Sequence, residues 1–410
     1  MPQNEARSFG ALSIPNYRNL FVGTLASFTA FFISTVVQGV VAFELAGSNT
    51  AVGSVIFGQG VGMFMSGPLG GAYADRLPKR RVIAVCQCLS ALCFGTVGVL
   101  YASESLRIGH LVLNGFFVGC AFGFIGPARQ ALVVDLVPKN LLGNAMALTT
   151  VANTMSRVSG PLVAAIILGL PAAGPAAAYA AMSLLYLVSV GLLFLLPRSV
   201  VRDDVGETHV IEDLLAGLRY TWNHGRLRHL LLFFIGVMLI GFPHVTLIPG
   251  LLENQLGRSA EELTRFALFS AIGALLASLT VARHADSPHA TRIYSWLAIG
   301  FGLSLILLAG MPGFFSAVAC MLLVGATSGG FHALNGAVIA RETDPVYMGR
   351  VMSLSMLSFA GFSLTALPLG ILADRFGERT VLFGMGASVF ALSIFMGAIV
   401  ARDALIRPVD

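Results

Sequence analysis

Apolar stretches of about twenty residues recur along the whole chain, separated by short connectors that carry most of its charges. A helix of about that length crosses the hydrocarbon core of a bilayer, and in lipid the backbone must satisfy its hydrogen bonds internally. The chain is 56% hydrophobic and 11% charged, whereas soluble domains carry about 25% charged residues. The sequence therefore predicts an all-α integral membrane protein with about twelve transmembrane helices. The predicted spans lie at about 18–45, 51–73, 82–102, 107–128, 143–170, 175–196, 230–250, 263–282, 292–311, 313–340, 351–373 and 379–401.

The connectors set the expected orientation. Short loops rich in Lys and Arg stay on the cytoplasmic side of a membrane. When both termini are placed inside, most of the cations fall on that side, including the cluster Lys79-Arg80-Arg81 and Arg129, which the hydropathy places in the loop after the fourth span. We therefore expect a multi-pass protein of the inner membrane with cytoplasmic termini. The formal net charge of +5 reflects this orientation and predicts no nucleic-acid partner.

Two halves are predicted from an internal repeat. A shift of 206 residues aligns Gly119 with Gly325 and Gly143 with Gly349, and the offset stays constant through the intervening loop. The longest polar connector lies between the halves. We expect a six-helix bundle at 1–199, a cytoplasmic linker with an amphipathic helix at 200–229, and a second six-helix bundle at 230–410. Parallel repeats of this kind are typical of secondary transporters.

The motif Gly71-x-x-x-Asp75-Arg76, followed by Lys79-Arg80-Arg81, resembles the signature loop between helices 2 and 3 of the major facilitator superfamily. Segments such as Pro127-Ala-Arg-Gln-Ala131 and Arg157-Val-Ser-Gly-Pro161 resemble its drug-exporter branch, which contains enterobactin exporters and macrolide efflux proteins. The resemblance implies a monomeric transporter working by alternating access. Its expected activity is proton-coupled export of drug-like, macrolide or siderophore-type small molecules, and the alternative is a nutrient or solute facilitator or importer on the same fold.

The same resemblance implies a conformational latch at the inner ends of helices 2 and 11. In that interpretation the Asp75 carboxylate faces a helix N-terminus, whose partial positive charge favours an anion; the alternative is a solvated residue that only sets topology. A second motif, Gly370-x-x-x-Asp374-Arg375-x-Gly377, falls on the opposite side by span count. We expect it to form a turn that starts a helix, and the alternative is a second gate. The candidate latch residues are Gly71, Asp75, Arg76, Arg80, Gly349 and Arg350.

Helices 1, 4, 7 and 10 line the substrate cavity in this superfamily, which makes their polar residues candidates for contacts with substrate or protons. Arg157 lies deep in a span, where cations usually face a cavity or a partner; the alternatives are an anion contact, a gate, or a side chain that reaches the inner surface. Each of the others could instead form an interhelical hydrogen bond or, for Glu44, lie at the interface. The candidates are Gln38, Glu44, Asn114, Arg157, His244, His332 and Asn335.

Gly160 and Pro161 are predicted to let helix 5 pack closely and bend, as small residues and proline do in membrane helices. No nucleophile triad, phosphate-binding loop or metal-ligand spacing is present in the sequence. The five cysteines all fall within apolar stretches, where they act as small hydrophobic residues. The sequence therefore predicts neither an enzyme nor a bound cofactor or metal.

Overall fold

A computed structural model describes residues 10–73, 77–170, 174–197, 210–259, 262–284, 287, 289–344 and 347–406. These ranges are helical throughout apart from short connections, and they contain no strand. The helices are α1 (Pro15–Ala46), α2 (Asn49–Tyr73), α3 (Lys79–Ala102), α4 (Ile108–Leu136), α5 (Leu142–Leu168), α6 (Gly174–Phe194), α7 (Val210–Asn223), α8 (Gly225–Ile240), the single turn α9 (Ile248–Gly250), α10 (Leu263–Ala282), α11 (Ala290–Gly310), α12 (Phe314–Arg341), α13 (Met348–Phe376) and α14 (Glu378–Ile406).

Within these ranges, 10 helices are long and apolar enough to cross a membrane. Two further long helices, α2 and α13, coincide with the predicted spans at 51–73 and 351–373. The all-helical membrane class predicted from the sequence is confirmed.

The chain divides into two compact units. One contains the residues up to Val41 together with Val61 to Val210, and the other contains Ala42–Gly60 together with Ile211 onward. The division passes through α1 and α2, so the end of α1 and the start of α2 pack with the later helices. The domain boundaries predicted at 199 and 229 stay predictions.

The first unit is held together by buried apolar residues from α1, α3, α4, α5 and α6. Tyr17 is buried in this core, and its hydroxyl donates a hydrogen bond of 2.6 Å to the Ala145 carbonyl oxygen. At the foot of α3, the nearly buried Lys79 ammonium lies 2.7 Å from the Asp135 carboxylate near the end of α4. Pairing removes most of the cost of burying each charge, so this contact fixes α3 against α4.

In the second unit, α10 packs on α12 and α11 packs on α14 through close glycine contacts. A Cβ on Gly325 would lie 1.9 Å from the Ser270 carbonyl oxygen, and one on Gly302 would lie 2.6 Å from the Phe390 nitrogen. Small residues let membrane helices approach until their backbones touch. Aromatic rings fill the space beside α8, where Phe331 stacks on Tyr294 with 4.4 Å between ring centroids.

The predicted seventh span, 230–250, is not one continuous helix. The α-helix α8 ends at Ile240, and a 3-10 turn (Phe242–Thr246), α9 and a π-helical turn (Leu251–Gln255) follow. Pro243 lacks an N–H donor and clashes with the preceding turn, which ends a regular helix. The predicted amphipathic helix is present as α7, and its exposed apolar side chains are Leu215, Leu218 and Trp222.

Candidate functional site

Arg129 is buried inside the first unit, with 3% of its side chain exposed. Its Nη2 donates a hydrogen bond of 2.9 Å to the Ser27 hydroxyl, and its guanidinium carbon lies 4.8 Å from the centre of the Phe28 ring. The prediction that Arg129 belongs to a cytoplasmic loop is wrong, because α4 continues past Pro127 to Leu136. A proline costs a helix one hydrogen bond, which neighbouring groups in a membrane bundle can replace.

Arg157 lies on α5 with its guanidinium carbon 5.5 Å from the centre of the Phe32 ring. Phe32 is four residues after Phe28, and residues four apart lie on one face of a helix about 5–6 Å from each other. The two arginines therefore stack on consecutive turns of α1. Arg157 is half-buried.

Gly160 makes this approach of α5 to α1 possible. A Cβ on Gly160 would lie 2.4 Å from Phe32 Cβ and 2.9 Å from the Phe32 carbonyl carbon, so only glycine fits there. Beside it, the Thr29 hydroxyl is 3.1 Å from the Ser159 hydroxyl, which joins the same two helices. Pro161 continues α5 without ending it.

The rings under the two arginines form a half-buried aromatic surface. Phe31 stacks on Phe122 of α4 with 4.5 Å between centroids, and Phe28 lies 6.1 Å from Phe122. We call these six residues the arginine group, and its members are Phe28, Phe31, Phe32, Phe122, Arg129 and Arg157.

Among the described residues, no ion pair neutralises either arginine of this group. Arg129 Nε and Nη1 are buried and have no hydrogen-bond partner in the part of the chain that the structure describes. An arginine in the centre of a membrane helix costs about 2.5–3.5 kcal/mol on insertion scales, and a stacked aromatic ring returns about 0.5–2 kcal/mol. Two such cations are therefore expensive for the protein to retain.

Gln38 and Asn114, which the sequence predicts as cavity residues, contact each other. Both are buried, and Gln38 Nε2 donates a hydrogen bond of 3.3 Å to Asn114 Oδ1. Asn114 Nδ2 is buried without a hydrogen-bond partner among the described residues. The pair joins α1 to α4 within the first unit.

The candidates of the second unit lie among aromatic rings. His244 is buried, its Nδ1 is 2.9 Å from the Gly241 carbonyl oxygen, and its ring meets Phe301 edge-on at 5.8 Å. His332 stacks on Phe234 at 6.1 Å. The Tyr294 hydroxyl donates a hydrogen bond of 3.1 Å to Asn335 Oδ1.

A second polar cluster, which sequence reasoning missed, lies where α2 begins. Asp374 accepts hydrogen bonds of 2.8 Å from the backbone N–H groups of Asn49 and Thr50, 2.9 Å from Asn49 Nδ2 and 2.5 Å from the Thr50 hydroxyl. The first N–H groups of a helix have no partner within it, and an acidic side chain near them satisfies those donors and the helix dipole. Asp374 therefore caps α2 from another helix.

Glu378 completes this cluster. It is buried with 3% of its side chain exposed, and it accepts hydrogen bonds of 2.9 Å from Asn49 Nδ2, 2.6 Å from Asn254 Nδ2 and 3.3 Å from Gln255 Nε2. We call these residues the carboxylate group, and its members are Asn49, Thr50, Asn254, Gln255, Asp374 and Glu378.

The motif is helical from Gly370 to Arg375, within α13. The predicted turn is confined to Gly377, which has φ +84° and lies directly before the start of α14 at Glu378. Gly370 is needed for close helix packing. A Cβ on it would lie 2.5 Å from the Asn49 carbonyl oxygen. Through Asp374, the motif also stabilises the start of a more distant helix, α2.

Glu44 is exposed near the end of α1 and lines a cavity of about 610 Å³ with Glu253 and Arg258. The cavity belongs to the second unit.

The predicted latch is only partly described. Asp75 and Arg76 lie outside the described residues, whereas Gly71 is in α2 and Gly349 is in α13. Arg80 Nη2 donates a hydrogen bond of 3.0 Å to the Phe194 carbonyl oxygen, and its Nη1 bonds the Leu196 carbonyl oxygen, so it caps the C-terminus of α6.

Arg350 sits at the start of α13 against the linker helix α7. Its Cβ is 2.9 Å from where a Cβ on Gly217 would lie, and its guanidinium stacks on Tyr347 at 5.5 Å. Tyr347 in turn stacks on Tyr220 of α7, with 4.1 Å between centroids. Arg350 is thus placed where α7 meets α13.

Comparison with known families covers almost the whole chain. Residues 6–405 match the family of transmembrane secretion effectors, a branch of the major facilitator superfamily. The chain belongs to this family. It is a multi-pass membrane transporter, and the prediction that it is not an enzyme is confirmed.

Several characterised relatives are similar over most of their length. The staphyloferrin A transporter of Staphylococcus aureus (strain NCTC 8325 / PS 47) is 24% identical over 79% of this chain and 81% of its own. The enterobactin exporter EntS of Shigella dysenteriae serotype 1 (strain Sd197) is 25% identical over 93% and 90%. Macrolide efflux protein A of Streptococcus pyogenes is 19% identical over 80% and 82%.

Solved structures confirm the fold. The nucleoside transporter NupG superposes with a TM-score of 0.72 at 16% identity, covering 93% of this chain and 99% of that chain. The major facilitator fold predicted from the sequence is therefore correct, and at this identity the likeness concerns the fold alone.

Proposed function

We propose that this transporter is a secondary active exporter that moves drug-like, macrolide or siderophore-type small molecules out of the cytoplasm by alternating access. It works as a monomer in the inner membrane, with both termini in the cytoplasm. The observation that carries the proposal is the near full-length similarity to relatives named as a siderophore exporter and a macrolide efflux protein. The buried polar side chains on helices of both units support it, because such residues are costly in lipid unless they serve transport or packing.

Proton exchange drives the export in this proposal. Among the described residues, the carboxylates of the spanning helices lie in the first or last turn, so no acid occupies the middle of a span. Imidazole titrates near neutral pH, which makes His332 and His244 the candidate carriers, with Glu44 as the third. His332 lies between α8 and α12 among aromatic rings and is the first to test.

The inner latch is part of the same proposal. In this proposal the Asp75 carboxylate stabilises one state by an interaction with the start of the eleventh span, which is α13, and Gly71, Arg76, Arg80, Gly349 and Arg350 belong to the same latch. Losing a contact between an anion and a helix N-terminus worth about 0.3–2 kcal/mol shifts a two-state balance severalfold. Asp75→Asn should therefore abolish most transport while the protein still folds and inserts.

The test is transport of a fluorescent lipophilic panel in inside-out membrane vesicles, with and without a protonophore. Uptake into these vesicles corresponds to export from cells, and an exporter coupled to protons stops when the gradient collapses. Asp75→Asn provides the matched inactive control. Transport in the opposite direction, or transport indifferent to the protonophore, would replace the proposal with a facilitator or importer.

A further inference from the structure

We infer that the arginine group binds the anionic part of the transported molecule, so that the substrate of this transporter is an amphiphilic anion with aromatic or apolar surface. The inference rests on the proposed function and narrows it to one charge class. Carboxylates and catecholates share the necessary chemistry, which is a negatively charged oxygen pair beside an apolar body.

The described part of the first unit has few acidic residues that could neutralise Arg129 and Arg157. The acidic residues described in that unit are Glu104, in the connection after α3, and Asp135. Asp135 is already paired with Lys79 at 2.7 Å. Arg129 on α4 and Arg157 on α5 therefore have no counter-ion among the described residues. An anion that enters with the substrate would supply the missing charge.

Arg129 has more hydrogen-bond donors than its described neighbours accept. A guanidinium has five N–H donors in a fixed planar fork. Nη2 is used on Ser27, whereas Nε and Nη1 are buried and have no acceptor among the described residues. Buried polar groups are almost always paired. Donors left open on a side chain that is 97% buried point to a ligand with acceptor oxygens.

Aromatic rings lie beside the two arginines. Each guanidinium lies over a phenylalanine ring of α1, with 4.8 Å from the Arg129 guanidinium carbon to the centre of the Phe28 ring and 5.5 Å from that of Arg157 to the centre of the Phe32 ring. Planar, bidentate recognition of oxyanions is the geometry for which arginine is suited. The four rings and Arg157 are half-buried rather than sealed, so an aromatic or apolar ligand body has a surface to contact.

The same arrangement disfavours cations. Two uncompensated positive charges on consecutive turns repel a basic amine in a medium of low dielectric constant. The group therefore predicts selection against cationic macrolide-type substrates, which the proposed function by itself leaves open.

The experiment compares two xanthene dyes of similar size and opposite charge, carboxyfluorescein and rhodamine 6G. Binding to the purified full-length transporter in nanodiscs is measured by fluorescence polarisation, and transport is measured in inside-out vesicles. We expect the wild type to prefer carboxyfluorescein, and Arg157→Gln to weaken its binding about tenfold or more, as loss of a charge-assisted contact does. Arg157→Lys, which keeps the charge, should retain part of the binding, and Arg18→Gln, which removes an exposed cation of α1, should change nothing.

The outcomes separate this inference from the proposed function. Proton-dependent transport of rhodamine 6G without binding of carboxyfluorescein would keep the exporter and overturn the anion site. Unchanged carboxyfluorescein binding in Arg157→Gln would also overturn it, provided that the melting temperature of the variant matches wild type. A third outcome is that neither dye is transported and that wild type and Asp75→Asn give the same signal. That outcome would count against the proposed export function. A catechol conjugate and a citrate conjugate of one dye, run as competitors, then identify which oxyanion the site takes.

Discussion

The two charged clusters of this transporter differ in how completely their charged groups are hydrogen-bonded. In the carboxylate group, Asp374 and Glu378 are surrounded by donors from the start of α2 and from Asn254 and Gln255. In the arginine group, two nitrogens of Arg129, Nε and Nη1, have no acceptor among the residues that the structure describes. A saturated charge stabilises the structure that surrounds it, whereas an unsaturated one raises the energy of the empty protein. The contrast separates a structural cluster from a binding site.

Among the substitutions that test this contrast, we expect the largest loss of stability at Glu378. Glu378→Ala removes a buried carboxylate that accepts charge-assisted hydrogen bonds from the side-chain amides of Asn49, Asn254 and Gln255, which should lower the free energy of unfolding by about 3 kcal/mol. The measurement is the melting temperature of the purified protein in detergent. Glu378→Gln is the matched control, because it retains one carbonyl oxygen and should cost less than half as much. Equal melting temperatures for Glu378→Ala and wild type would show that the carboxylate group does not stabilise the fold.

Gly160→Ala tests the support of the arginine group. The added methyl would lie 2.4 Å from Phe32 Cβ, and overpacking of a close helix contact costs about 1–3 kcal/mol. The ring beneath Arg157 must then shift, so binding of an anionic dye should fall together with stability. Gly126→Ala on α4, where a Cβ meets nothing within 4 Å, should leave both quantities unchanged; a loss of similar size there would show that any alanine in this unit is harmful.

Asp374→Ala tests the cap on α2. Removing a side chain that satisfies helix N-terminal donors costs about 0.5–2 kcal/mol, and proteolysis or hydrogen exchange should show opening confined to the first turn of α2. Asp374→Asn keeps one acceptor oxygen and should retain part of the protection. If the first turn of α2 exchanges at the wild-type rate in Asp374→Ala, the contact with α13 contributes little.

Arg129→Met is expected to have the smallest effect on stability and the opposite sign. Methionine has nearly the same length and needs no hydrogen bonds, and replacing buried charges with apolar residues is often neutral or stabilising. The melting temperature should stay the same or rise by a few degrees, while binding of carboxyfluorescein is lost. A marked fall in melting temperature would assign Arg129 to structure and erase the difference between the two groups.

Periodic hydrophobicity predicted the helical class, and motifs around Asp75 and Arg157 predicted the superfamily to which the chain belongs. Arg129 was misplaced because a proline next to a cation resembles the end of a span, whereas α4 continues through it. Its position in α4, two residues after Pro127 and six before Asp135, was the available clue. Asp374 was noticed as part of a motif, but its partners Asn49 and Thr50 are more than 300 residues away, and no local pattern reports such a pairing.

The sequence by itself determined that the chain is a membrane protein and that its helices are long enough to span a bilayer, since these properties depend on composition and length. The internal repeat predicts in addition that the chain is built from two related halves. Tertiary structure alone decided which polar residues are satisfied by one another. Gln38 pairs with Asn114, Asn335 with Tyr294, and Asp374 with the start of α2. The arginines of α4 and α5 lie against phenylalanine rings, and Arg129 also donates to the Ser27 hydroxyl. Whether two side chains of different helices form a hydrogen bond depends on a few tenths of an ångström in the distance between their atoms. Hydrophobic periodicity carries no information on that scale.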